Sequence, residues 1–168
     1  IVAYMYSERE GEPMDHPAMV RITELAYEPD ALEATIAYLA EHLHFLKKSD
    51  RVLICFPNQN PGDMGSMMEQ AVLRRGAFPV IWGPDLRWKT LMRLAFSNRV
   101  TTIIGPPLVI LGLTKLTRAC RTPLYIRNIV TSGYPCLDWM IEGIKKGLDC
   151  KTWGFFGFGT KPVVLGAS

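Results

Sequence analysis

The sequence predicts an α/β fold, a mainly parallel five-stranded doubly wound sheet with helices on both faces. Three observations carry this. Strand-like runs begin near Arg51, Phe78, Thr101, Ile126 and Cys150, at intervals of 27, 23, 25 and 24 residues. Helix-like segments fill the gaps between them, at 62–75, 85–97, 108–120 and 137–146. The runs themselves are short and apolar, which suits strands of a parallel sheet covered on both sides. A leucine-rich solenoid has a similar unit length, but its Leu-x-x-Leu-x-Leu signature is missing. A (β/α)₈ barrel needs eight units, and five strands are visible.

Taken in order, residues 1–6 suit a short strand, 7–17 are charged and proline-bearing and read as loop, and 18–23 are again strand-like. Residues 29–48 make the plainest helix. Asp30 suits an N-cap with Glu33 three residues on, and Leu32, Ile36, Leu39, Leu43 and Leu46 recur at helical spacing. Lys47 and Lys48 then fall in its last turn, where cations complement the helix dipole. Beyond it the strand–helix rhythm sets in, and Gly76, Asn98 and Gly147 stand where helices should stop. The expected organisation is an N-terminal extension at 1–29 and one α/β domain at 30–168.

The chain has 168 residues, enough for one domain that buries roughly two-thirds of its unfolded surface. With 48% hydrophobic and 21% charged residues it has the composition of a globular protein. Its net charge of +3, spread among acids, gives no basic stripe, so no nucleic-acid partner is expected. Cys55, Cys120, Cys136 and Cys150 form no CxxC pair and no metal-ligand spacing, and read as reduced thiols. No leader-like segment opens the sequence and no apolar run approaches the roughly 20 residues that span a bilayer, so a cytoplasmic protein without a membrane partner is expected.

The candidate site lies where such folds bind ligands, at the carboxyl ends of the strands. The loops there are 57–62, 83–85, 105–107, 132–135 and 157–162, all rich in Gly, Pro and small polar residues. Turn chemistry alone asks for such residues; five loops converging on one edge also predict a cleft. Other chemistry is excluded. Gly154–Gly159 lacks the Gly-x-Gly-x-x-Gly order, no Walker A sequence occurs, and no Gly-x-Ser-x-Gly elbow is present. His16, His42 and His44 do not share a helix face and make no metal site.

Four stretches, in order, resemble the large N-terminal domain of adenylate-forming acid–CoA ligases, most closely the phenylacetate–CoA ligase and coenzyme F390 synthetase branch. Ser49-Asp50-Arg51-Val52 looks like the family's Gly/Ser-Asp-Arg-Val segment. Arg75-Gly76-Ala77-Phe78-Pro79-Val80-Ile81 resembles its Leu-Gly-Ala-x-x-Ile-Pro step. Ile103-Ile104-Gly105-Pro106-Pro107 is similar to Val-Gly-Thr-Pro-Ser, and residues 129–135 are similar to its Gly-Ala-Glu-Pro turn. The resemblance covers about residues 18–168. It implies ATP or AMP as nucleotide, a carboxylic acid as co-substrate, and Mg²⁺ in the chemistry; CoA use stays open. It places adenine near Ser132, Gly133, Tyr134, Pro135, Phe158 and Gly159, the acid near Gly105, Pro106 and Pro107, and the phosphate chemistry at Thr160 and Lys161.

Three departures from the family pattern bear on activity. Glu24-Leu25-Ala26-Tyr27-Glu28-Pro29 stands where the family has a Gly/Ser/Thr-rich phosphate loop, and an acidic, glycine-free segment cannot form the nest of N–H groups that cradles phosphate. Lys161 stands where the Tyr-Gly-x-Thr-Glu motif has its carboxylate, and a cation cannot ligate Mg²⁺. The family's mobile C-terminal domain with its catalytic lysine has no counterpart. Two functions follow: a part or remnant of an ATP-dependent carboxylate–CoA ligase, inactive alone and completed by the rest of a ligase or by a second copy; or a non-catalytic ligand- or protein-binding module on the same scaffold.

Overall fold

The structure, a computed structural model, describes residues 2–7, 21–26, 29–81, 87–133, 136–158 and 161–167, those at 2–7, 21–26, 153–158 and 161–167 by their backbone path. Strands β1 (Val2–Ser7) and β2 (Arg21–Ala26) pair antiparallel as a two-stranded sheet, with Val2 opposite Ala26. From Pro29 onward the chain alternates: α1 (Pro29–His42), β3 (Arg51–Ile54), α2 (Met64–Arg74), β4 (Phe78–Ile81), α3 (Trp88–Ser97), β5 (Thr102–Gly105), α4 (Pro107–Ala119), β6 (Asn128–Thr131), α5 (Asp138–Lys145), β7 (Lys151–Phe158) and β8 (Lys161–Ala167).

The second sheet runs in the order β4-β3-β5-β6-β7-β8. Its first five strands are all parallel, the expected arrangement. Side chains alternate across them with period two. Val52, Ile54, Ile104 and Val130 join one core with the buried faces of α1 and α2. Leu53, Cys55, Ile103 and Ile129 join the other, with α3, α4 and α5. Both faces are therefore covered, and the sheet is doubly wound. Ile103 and Ile104, neighbours in sequence and both 0% exposed, sit in opposite cores, and burying each contributes roughly 1.5–3 kcal/mol.

The helix expected at 29–48 ends at His42. Beyond it the chain closes a tighter turn, Leu46 N on Leu43 O at 3.0 Å, that still buries both leucines. Asp50 then fixes the connection by accepting the Lys47 N–H at 2.7 Å. Lys47 and Lys48 belong to this connection and not to a last helical turn, and Asp30 lies within the first turn, one residue inside the start at Pro29.

Three helices end in the same hydrogen-bond pattern. Gly76 N reaches Leu73 O and Ala77 N reaches Val72 O after α2; Arg99 and Val100 repeat this on Phe96 and Ala95 after α3; Arg121 and Thr122 repeat it on Arg118 and Thr117 after α4. This is the Schellman arrangement, which puts its C′ residue in the left-handed region. That residue is Gly76 (φ 73°), Arg99 (φ 49°) or Arg121 (φ 50°). Asn98, expected to mark the end of α3, is one position short of the left-handed residue and has φ −91°.

Within the stretch expected to be a loop at 157–162, residues 157–158 and 161–162 are strand, whatever their Gly and Pro content suggested. Strand β8 pairs antiparallel with β7, Gly157 facing Pro162 and Phe158 facing Lys161. Proline is tolerated because β8 is the edge strand, where one row of N–H groups has no ladder to serve. Among the described residues no helix is long and apolar enough to cross a membrane.

Candidate functional site

The site is built at the carboxyl edge. Its centre is set by strand order: β3 leads outward to β4 on one side, while its other neighbour β5 leads to β6 on the opposite side. Adjacent strands whose connections diverge in this way mark the switch point where open α/β sheets bind ligands. The loops leaving that point are 55–63 and 106, which open α2 and α4.

Close backbone approaches hold these loops together. Cys55 N donates to Ile104 O at 2.8 Å and Ser132 N donates to Gly105 O at 3.1 Å, tying the ends of β3, β5 and β6 in one row. Gly105 has no room for a side chain: a Cβ there would lie 2.7 Å from Cys55 Cβ. Gly65, in the first turn of α2, donates its N–H to Pro57 O at 2.9 Å and would put a Cβ 2.3 Å from that oxygen. Gly133 has φ +89°, and a Cβ on it would meet Phe56 Cε1 at 3.3 Å. The buried ring of Phe56 therefore lies against Gly133 across the end of β5.

Helix starts supply the edge with partial positive charge. α4 begins at Pro107 behind Pro106, a proline at the position where a missing N–H costs least. α2 follows Asp63, whose Oδ2 turns back to accept the Asn60 N–H at 2.9 Å instead of capping the helix. α5 carries Asp138 in its first turn. Beside it, burial pushes the Cys136 thiol above its ordinary value; a hydrogen bond with the Thr131 side chain pulls the other way and Asp138 raises it further. The thiol stays protonated and is no nucleophile at neutral pH.

The expected site residues fall as follows. Gly105, Pro106, Pro107, Ser132 and Gly133 are at this edge, and the first three are joined to the last two through the Ser132–Gly105 bond. Tyr134, Pro135, Gly159 and Thr160 lie outside the described residues. Phe158 and Lys161 end β7 and begin β8. The register pairs Thr131 with Gly154, so β7 runs four residues past β6 and carries the β7–β8 hairpin to the same edge. Gly105, Thr131 and Gly154 are in register on β5, β6 and β7, and residues 132 and 157 lie beyond them toward the same edge.

Cys55 and Phe56 were not among the expected site residues. The run from Val52 to Phe56 reads as one apolar strand, and only the strand order reveals that its end faces the switch point. Among the described residues no group of three His, Cys, Asp or Glu side chains could hold a metal ion. A groove of about 480 Å³ lies at the opposite, amino edge, between Phe45, Lys47, Asp50, Arg127, Asn128, Asp149, Cys150 and Lys151.

No family model and no curated protein matches the chain. Solved structures do. A 2-hydroxyisobutyryl-CoA ligase in complex with 2-HIB-AMP and CoA superposes with a TM-score of 0.73 at 13% identity, over 92% of this chain and 32% of that one. The amide bond synthetase McbA of Marinactinospora thermotolerans gives 0.67 at 16% identity, over 99% and 30%. A long-chain-fatty-acid–CoA ligase of Archaeoglobus fulgidus gives 0.65 at 14% identity, over 82% and 29%. The fold is that of a part of such ligases and synthetases, and the chain spans about a third of the neighbours' length.

Proposed function

We propose that this chain is part of, or descends from, an ATP-dependent carboxylate–CoA ligase that works through an acyl-adenylate, and that it is inactive alone. The observation that carries the reading is the convergence of residues 105–107, 132–133 and the β7–β8 hairpin on the edge flanking the switch point. The ligase neighbour that holds an acyl-AMP and CoA supports it by its fold. The phenylacetate–CoA ligase branch is the finer assignment within it, suggested by the four sequence stretches. The protein works in the cytoplasm on this reading.

In this reading Ser132, Gly133, Tyr134, Pro135, Phe158 and Gly159 serve the adenine, as the sequence resemblance implies. The Gly133 turn brings backbone close to the ring because no side chain intervenes. Gly105, Pro106 and Pro107 border the carboxylic acid. Thr160 and Lys161 are assigned to the phosphate chemistry by the same resemblance. Adenine stacks on Tyr134 or Phe158, and the nucleotide is held weakly, in the millimolar range or about −4 kcal/mol, since no phosphate nest follows Thr23.

The remainder of a ligase supplies what is missing, either as further sequence or as a partner. Trp88, Leu108, Leu137 and Trp139, each about half-exposed at the starts of α3, α4 and α5, support a surface that such a part covers. The second reading is a non-catalytic binding module on this scaffold, favoured by Lys161 and by the acidic segment 24–29.

NMR chemical-shift mapping with AMP and an acyl-adenylate analogue separates them. Saturable shifts at Gly105, Ser132, Gly133 and Gly157 support the ligase reading. Shifts confined elsewhere, or none at saturating ligand, leave the binding module as the better account.

A further inference from the structure

We propose that the groove at the amino edge of the sheet is a second site, independent of the carboxyl edge, for a small molecule bearing a phosphate or pyrophosphate group, with Arg127 as its anchor. The argument begins with topology. Cations that look scattered in the sequence are collected in space, because crossover helices end where parallel strands begin. Lys47 and Lys48 precede β3, Arg99 and Arg121 follow α3 and α4, and Lys145 and Lys146 close α5, all exposed. Helix C-termini favour cations, which accounts for some of these, and each contributes only about −0.5 charge of its own. That does not account for Arg127 and Lys151, which stand at the starts of strands β6 and β7.

The groove itself is about 480 Å³, within the range of small-molecule sites, and Lys47, Arg127 and Lys151 line it. Arg127 is a prepared donor. Its Nη2 is held by Asp50, a carboxylate 1% exposed and itself fixed by the Thr101 hydroxyl and the Lys47 N–H. The Arg127 side chain is half-exposed, at 51%, and lines the groove. A buried carboxylate that fixes a guanidinium in this way lowers the ordering cost of binding an anion on its open edge.

Two anionic groups also line the space. Asp50 is matched by Arg127, which leaves Asp149 as the opposing charge against Lys47 and Lys151. Cys150 adds none. Burial, and then Asp149, pushes its thiol up to about 11 against the pull of Lys145, so it stays neutral. Three cations against two carboxylates leave the lining at a net +1, so it favours a small anion held chiefly by the Arg127 fork.

The test is an amide NMR titration of the full chain with pyrophosphate, at low salt and again with added chloride, with AMP in parallel. Saturable shifts confined to residues 45–51, 127–128 and 149–151 are expected. Lys151→Gln, an exposed substitution that leaves the fold in place, should weaken binding about fivefold, and Arg127→Lys about tenfold, because an ammonium keeps the charge but not the fork. Shifts at the carboxyl edge alone, non-saturating shifts spread over every cation of the amino edge, or affinity unchanged in Lys151→Gln and Arg127→Lys would overturn the proposal. Because AMP binding at Gly105 and Ser132 is read from different resonances, failure here and failure of the ligase reading are distinguishable.

Discussion

Asp50 Oδ1, on a carboxylate that is 1% exposed, accepts a hydrogen bond from Thr101 Oγ1 at 2.5 Å, across 51 positions of sequence. Thr101 Oγ1 in turn accepts the Arg51 N–H at 3.1 Å, and Arg127 pairs with the same carboxylate oxygen. The amino ends of β3, β5 and β6 are thereby bound by one side chain. Burial alone would push the Asp50 pKa up; the Thr101 hydroxyl, the Lys47 N–H and Arg127 outweigh it and hold the carboxyl below its ordinary 3.8.

Asp50 therefore makes stability depend on acid. Its folded pKa is depressed, so its contribution is present above 3.8 and is lost as the pH falls through the lower folded value. Asp50→Asn should cost about 3 kcal/mol at neutral pH, since it strips the partner from Arg127 and weakens two hydrogen bonds. Urea unfolding at a series of pH values checks this. The gap between the two proteins should be widest at neutral pH and narrow below pH 3.8. A constant gap would mean that the carboxylate's charge contributes nothing.

The Schellman ends give a prediction of opposite sign. Arg121 is exposed, at φ 50°, in a position that glycine occupies without strain. Arg121→Gly should stabilise the chain by about 0.5 kcal/mol, after allowing for the greater freedom glycine gives the unfolded state. Gly76→Ala at φ 73° should cost about 1 kcal/mol. Thermal unfolding measures both, and equal melting temperatures for all three proteins would refute the argument.

At the carboxyl edge, Gly105→Ala should cost about 2 kcal/mol, because its methyl group would press on Cys55 Cβ from 2.7 Å and push β3 from β5. Cys55→Ala leaves that Cβ in place and should not relieve the clash. Cys55→Gly combined with Gly105→Ala should lose less than the two changes summed, which a double-mutant cycle reads directly.

Much of this fold was legible in the sequence, for a physical reason. Strands buried on both faces are mostly apolar, so Val52–Ile54, Ile103–Ile104 and Ile129–Val130 announce themselves, and their spacing leaves room for one helix each. What was not legible depends on partners. The end of α1 at His42 goes with Asp50 gripping Lys47 N, a contact that helical periodicity does not show, since Leu43 and Leu46 fit the helical spacing as well. β8 was hidden because Gly157 and Pro162 signal a turn unless one knows that the strand lies at an edge. The role of Phe56 depends on Gly133, 77 positions away. Charge was hidden most: +3 spread along the chain conceals cations gathered at one edge.

The last prediction is that residues 1–168 alone do not form an acyl-adenylate. Adenylation brings a carboxylate to the α-phosphate of ATP while pyrophosphate departs, so the catalysis must come from positioning and from neutralising phosphate charge. The segment 24–29 offers no glycine nest, and β2 occupies 21–26 as extended strand, a conformation whose N–H groups alternate in direction instead of converging. Lys161 opens β8, and the sequence resemblance puts the family's Mg²⁺ carboxylate at this position, where a cation cannot ligate the metal. Acid-dependent ATP–pyrophosphate exchange should therefore stay at background for the chain. Lys161→Glu should not restore it, because one carboxylate supplies neither the phosphate loop nor a second domain. Exchange above background in the unmodified chain, abolished by Thr160→Ala, would show that the β7–β8 hairpin belongs to a working active site.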